Sequence, residues 1–145
     1  MPEAVPLRAL VVDDERPARE ELAYLLREDA RVGEGRPADS AAAALTLLNE
    51  EPVDVVFCDI KMPGLDGVEL ARVMTRFAER PQIVFVTAYD DRAVDAFELH
   101  AADYVMKPVR PDRLAEAVRR VVEWGTAEPA ADDDETIAVE LAGVT

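Results

Sequence analysis

Apolar residues along this chain fall into short, nearly unbroken runs that alternate with amphipathic stretches. Leu7–Val12 (LRALVV) has almost no polar interruption, the pattern of a parallel strand covered on both faces. Pro17 then stands where a first helical residue would, and Ala18, Leu22, Leu25 and Leu26 recur at helical spacing. Residues 31–35 form a short, glycine-containing strand, the weakest of the set. Ser40 is placed to cap a helix whose Ala41, Ala44, Leu45 and Leu48 share one face. Val53–Cys58 reads as the third strand, and Leu70, Val73, Met74 and Phe77 as the next helical stripe. Ile83–Val86 is a β-branched strand. Ala93, Val94 and Phe97 predict a short helix, Tyr104–Met106 a last strand, and Pro111 opens a helix with Leu114, Ala117, Val118 and Val121 inward.

Five strand-then-helix units in succession predict an open parallel sheet with helices on both faces. The rhythm breaks at 126-TAEPAADDDE-135, a small, acidic, proline-containing stretch with the composition of a solvated linker. Residues 136–145 (TIAVELAGVT) regain strand-like alternation; a strand needs partners, so they read as the start of a further, truncated unit.

Composition narrows the function. A length of 145 residues, half of them hydrophobic, suits one domain with a sizeable core. All 16 basic residues and 25 of the 31 acids lie in residues 1–125, a net charge of −9, and the last twenty residues supply the other −6. Such a surface repels phosphate backbones and argues against nucleic-acid binding by this piece. The single cysteine, Cys58, excludes an internal disulfide and a cysteine-based metal site, and its apolar run marks it as a buried, inert thiol. No apolar stretch approaches the ~20 residues of a membrane span, and the N-terminus lacks a signal-peptide pattern. The expected location is cytoplasmic.

Charged groups stand at the strand ends. The first strand runs into Asp13, Asp14 and Glu15, and the third into Asp59. Ligands of doubly wound sheets bind outside the carboxyl ends of the strands, where strand order reverses. With strands one and three adjacent about that point, about 5 Å apart, several carboxylates would share one crevice. Like charges so close repel unless a cation neutralises them, and a hard ion such as Mg²⁺ suits the oxygen set. Strand four ends in Thr87, a hydroxyl. Strand five ends in Lys107, one of only two lysines beside 14 arginines, and a compact ammonium serves as a point charge toward phosphate. Pro108 follows it and raises the prospect of a cis bond.

These motifs match a family. Residues 7–125 resemble the receiver domain of bacterial two-component response regulators: Asp13-Asp14, Asp59 followed by Met62-Pro63-Gly64 and Asp66-Gly67, Thr87, and Lys107-Pro108 all fall at the matching strand ends. The resemblance implies a flavodoxin-like (CheY-like) α/β fold, a five-stranded parallel sheet in order 2-1-3-4-5 with five helices. It implies that Asp59 accepts a phosphoryl group from a sensor histidine kinase. Mg²⁺ (or Mn²⁺) would be bound by Asp14, Asp59 and the backbone carbonyl of Lys61, with Asp13 acting through water. Lys107 would pair with the phosphate, the Thr87 hydroxyl would swing toward it, and Tyr104 would turn inward in response. The face of the fourth helix, last strand and last helix, near His100, would then change partner contacts, commonly by homodimerisation. The wording DIKMPGLDGVELA and TAYDDRAVDAFELHAADYVMKPV is similar to regulators with a LytTR-type DNA-binding output. On that reading 126–135 is a linker, 136–145 opens the output domain, and DNA binding belongs to the intact protein.

Three other readings compete. A haloacid-dehalogenase-type phosphatase also uses an aspartate nucleophile, but wants a second Asp two residues on, where Lys61 stands. A flavin or nucleotide carrier wants glycines in the first strand-to-helix turn, which is DDERPARE. A receiver that takes no phosphate would work as an interaction module; the complete set of site residues argues against it.

Overall fold

In the computed structural model, residues 5–126 are described. The elements are β1 (Leu7–Val12), α1 (Arg16–Arg27), β2 (Val32–Ala38), α2 (Ala41–Glu50), β3 (Val55–Cys58), α3 (Gly67–Met74), β4 (Gln82–Thr87), α4 (Ala93–Glu98), β5 (Asp103–Met106) and α5 (Pro111–Thr126). The strands form one five-stranded sheet in the order β2-β1-β3-β4-β5, every pair parallel. The doubly wound sheet expected from the sequence is therefore the fold.

Each face of the sheet buries its own core. On one side Leu10, Val12, Val56, Cys58 and Phe85 pack with Ala44 of α2 and Leu70 and Met74 of α3. On the other, Val11, Phe57, Val84 and Val86 pack with Leu22 and Leu26 of α1 and Leu114, Val118 and Val121 of α5. Alternate residues of one strand thus enter opposite cores, which is why these strands read as continuous apolar runs.

Local chemistry sets the boundaries. Ser40 caps α2, its Oγ accepting the Ala43 amide at 3.0 Å. Asp66 and Glu69 close a capping box at the start of α3, two reciprocal bonds of 2.8 Å. Several boundaries and faces differ from the sequence reading. Pro17 lies one residue inside α1, which begins at Arg16. β2 runs on to Ala38 through Pro37; at the sheet edge a missing amide costs no ladder bond. β3 begins at Val55, not Val53. α3 stops at Met74, so Phe77 reaches the core from the turn that follows, and Val73 is 37% exposed because Leu70, Ala71 and Met74 supply the buried side. α4 forms as expected, yet Val94 and Phe97 point outward, 70% and 83% exposed, with Ala96 as its buried residue. The interpretations of 127–145 as linker and further strand lie outside the described residues; Thr126 closes α5 instead of opening the linker.

Candidate functional site

The site lies at the carboxyl ends of β1, β3, β4 and β5. Register puts Val12 of β1 beside Cys58 of β3, and Thr87 of β4 beside Met106 of β5. The next residues, Asp13, Asp59 and Lys107, consequently leave the sheet side by side. Backbone bonds carry the alignment past the strands: the Asp13 amide donates to Ala38 O at 3.1 Å, Asp59 to Val12 O at 2.9 Å and Lys107 to Thr87 O at 2.8 Å.

Asp13 is 2% exposed and Asp59 7%, whereas Asp14 is open to solvent. Carboxylate oxygens of all three lie within 4.8 Å of one another. Lys107 Nζ donates to Asp13 Oδ2 at 2.8 Å and to Asp59 Oδ2 at 3.1 Å. Burial pulls the Lys107 ammonium down, but its bonds and attraction to Asp13 and Asp59 outweigh this and hold its pKa above the ordinary lysine value. One ammonium against three carboxylates leaves the crevice negative. Such an oxygen set, short of positive charge and partly open through Asp14, fits a hard divalent cation.

The remaining bonds fix the acids. Asp13 Oδ1 accepts the Glu15 amide at 2.9 Å, and Asp59 Oδ1 accepts the Ile60 amide at 2.7 Å. On both buried acids Oδ2 thus faces the lysine while Oδ1 is tied to backbone. Thr87, wholly buried, accepts the Tyr89 amide on its hydroxyl at 3.3 Å. Tyr104 is half-buried, its ring 6.3 Å from that of Phe85, and its hydroxyl donates to the Tyr89 carbonyl. The Lys107–Pro108 peptide is cis. His100 is exposed in the left-handed region, φ 59°, at the end of α4.

The structure therefore brings Asp13, Asp14, Asp59 and Lys107 together, with Thr87 at the adjacent strand end and Tyr104 one contact further out. Two participants had no sequence rationale. Tyr89 meets three site elements at once: its amide reaches Thr87, its carbonyl Tyr104, and its ring lies 4.6 Å from the Lys61 ammonium. Gly67, noted only as part of the motif, is where α3 crosses the Asp59 backbone; a Cβ there would stand 2.1 Å from Asp59 O. A glycine straight after a capping acid was the available signal for Gly67. For Tyr89, only its place two residues after Thr87 hinted at it.

Residues 9–119 match the family model of the response regulator receiver domain, and the chain belongs to that family. It is 47% identical over 116 residues to an uncharacterized response regulatory protein of Vibrio cholerae, covering 80% of this chain and 48% of that protein. It is 35% identical over 139 residues to the transcriptional regulatory protein YpdB of Escherichia coli K12, covering 96% of this chain and 54% of that one. Among solved structures, the response regulatory domain of mrkE from Klebsiella pneumoniae superposes with a TM-score of 0.75 at 36% identity, over 81% of this chain and 97% of that one. A CheY-like receiver domain from Methanospirillum hungatei gives 0.75 at 26% identity, over 83% and 98%. The chain spans about half the length of the curated relatives it matches. Among the described residues, no helix is long and apolar enough to cross a membrane.

Proposed function

We propose that this receiver is a phosphorylation switch in which Asp59 is the phosphoacceptor. The observation that carries the reading is the asymmetry of the acids around Lys107. Asp13 and Asp59 each give Oδ1 to a backbone amide and Oδ2 to the lysine. But Asp59 leaves the central strand β3, with the acids of β1 on one side and Thr87 of β4 on the other, and is 7% exposed where Asp13 is 2%. Asp14 is exposed and lies outside the lysine's bonds. The phosphoryl group of a histidine kinase's phosphohistidine would be attacked by Asp59 Oδ2, breaking the phosphorus–nitrogen bond and forming an aspartyl phosphate. Lys107 is placed to exchange its bond to Asp59 for one to a phosphate oxygen. Asp13, Asp14 and Asp59, with the backbone carbonyl of Lys61, would hold Mg²⁺ or Mn²⁺. When bound, the ion supplies positive charge that lets an anionic nucleophile meet an anionic phosphoryl group. The domain turns over no separate substrate: transfer to its own Asp59 and slow loss of that phosphate are its chemistry.

The same reading extends to output. Thr87 moving toward the phosphate would release the Tyr89 amide, and Tyr89 also carries the Tyr104 tether, so the threonine and tyrosine states are linked through one residue. That coupling would bias a pre-existing two-state equilibrium. The exposed Val94 and Phe97 of α4 give its neighbouring face an apolar surface suited to homodimer formation. In a longer protein, residues 127–135 would link the receiver to a LytTR-type DNA-binding domain beginning within 136–145; the similarity to a transcriptional regulator supports a DNA-binding output. Mg²⁺ and acetyl phosphate provide the test: a single base-labile phosphoryl adduct, lost in Asp59→Asn.

A further inference from the structure

At the opposite end of the sheet from Asp59, the amino ends of β1, β3 and β4 and the carboxyl ends of α2 and α5 surround a cleft of about 1540 Å³. Leu48, Val53, Phe77 and Val122, each half-buried, form its apolar walls. Trp124 stands at the rim, 48% exposed, on the last turns of α5. Gln82 lies in the lining. Its Nε2 donates to Val121 O at 2.9 Å, but its Oε1 is the one buried side-chain polar atom among the described residues with no hydrogen-bond partner. A buried acceptor beside apolar walls is matched by a segment that brings both a backbone N–H and aliphatic side chains.

We propose that residues 136–142 of this same chain (TIAVELA) seat in the cleft. Three observations select that occupant. The chain leaves α5 at Thr126, directly beyond the lining residues Trp124 and Gly125. Residues 127–135 number nine; acting as a flexible tether they would span about 17 Å and hold the next segment at an effective concentration on the order of millimolar. Ile137, Val139 and Leu141 alternate, so an extended segment would turn all three toward one wall and leave backbone amides for Gln82. The lining carries Arg8, Arg31 and Arg80 beside Glu50, Glu51, Asp54 and Glu79, so its charges nearly balance, and the apolar walls of Leu48, Val53, Phe77 and Val122 select the apolar stretch over the acidic run 132–135. In a longer protein, a following domain that also uses 136–142 would compete with the cleft for it. The inference is independent of the phosphoryl chemistry.

Trp124 is the only tryptophan and reports on the rim directly. The test compares the 145-residue chain with its Ile137→Asp, Val139→Asp, Leu141→Asp triple variant. All three substitutions lie outside the described fold, and far-UV circular dichroism checks that both proteins are folded. Docking predicts that acrylamide quenches Trp124 at least twofold less in the wild-type chain, independently of protein concentration. Equal quenching in the two proteins overturns the proposal. Shielding that grows with protein concentration also overturns it, and assigns the cleft to a second copy of the chain.

Discussion

The Lys107 ammonium and the Asp59 carboxylate meet at 3.1 Å across the crevice, and the lysine holds Asp13 at 2.8 Å with the same nitrogen. One cation thus bridges two buried acids that the sheet register forces together. Replacing it with an uncharged chain of similar length leaves both acids uncompensated. Lys107→Met is expected to lose about 3 kcal/mol of stability in metal-free buffer, measured by urea unfolding. Because the folded-state pKa of Lys107 is raised, its contribution is complete below the unfolded lysine value, ~10.4, and fades only as the pH rises through the folded value. The lysine's own titration therefore adds no pH dependence between pH 6 and pH 8, and any relief as pH falls comes from the two acids left unpaired. A penalty that grows as pH falls from 8 to 6 would contradict the ion-pair account.

Asp14 is exposed and, among the described residues, pairs with no base, yet it stands within 4.8 Å of the other two acids. Its removal should cost little stability without metal and most of the response to metal. At a tenfold excess over the dissociation constant, Mg²⁺ is expected to stabilise the wild type by about 1.4 kcal/mol. Asp14→Ala should abolish that gain with its metal-free unfolding midpoint nearly unchanged, as read by thermal denaturation with and without Mg²⁺.

Gly67 admits no side chain. A Cβ 2.1 Å from Asp59 O must displace either α3 or the backbone that carries Asp59. Gly67→Ala, ordinarily a mild change at a helix start, is expected to cost about 3 kcal/mol or more in chemical denaturation. A neutral result would mean that the α3 crossing is looser than it stands here.

Asp103 and Arg113 tie β5 to α5 through two bonds of 2.8 Å, with Arg120 adding a third at 3.4 Å. Burial alone would push Asp103 up; the bonds from Arg113 and the Tyr104 amide, with the charges of Arg113 and Arg120, outweigh it and hold its pKa below the ordinary value. A lowered carboxylate stabilises the fold above its unfolded value, ~3.9, and the contribution is lost as pH falls through the folded value. Arg113→Met should therefore cost about 2 kcal/mol at pH 7 and progressively less below pH 4, followed by urea unfolding across pH.

Most of the architecture was legible because it rests on local rules. β1, β3 and β4 announced themselves as two-sided apolar runs, and Ser40 and Pro111 marked helix starts through side-chain and φ chemistry that acts within one turn. Asp13, Asp59, Thr87 and Lys107 were legible because a parallel sheet sends every strand's next residue to the same edge. What failed depends on neighbours distant in sequence. The outward turn of Val94 and Phe97 is decided by how little of a six-residue helix the sheet covers, and Val73 by where α3 rests. The extension of β2 through Pro37 follows from its edge position. The roles of Tyr89 and Gly67 arise from contacts between segments that no periodicity records.

The central claim is that Asp59 takes the phosphoryl group, and intact-protein mass spectrometry after incubation with Mg²⁺ and acetyl phosphate tests it most directly. The expected result is one phosphoryl adduct on the wild type, removed by mild base, absent without the metal and absent in Asp59→Asn. No adduct on the folded wild type, or an adduct that survives in Asp59→Asn, would contradict the assignment.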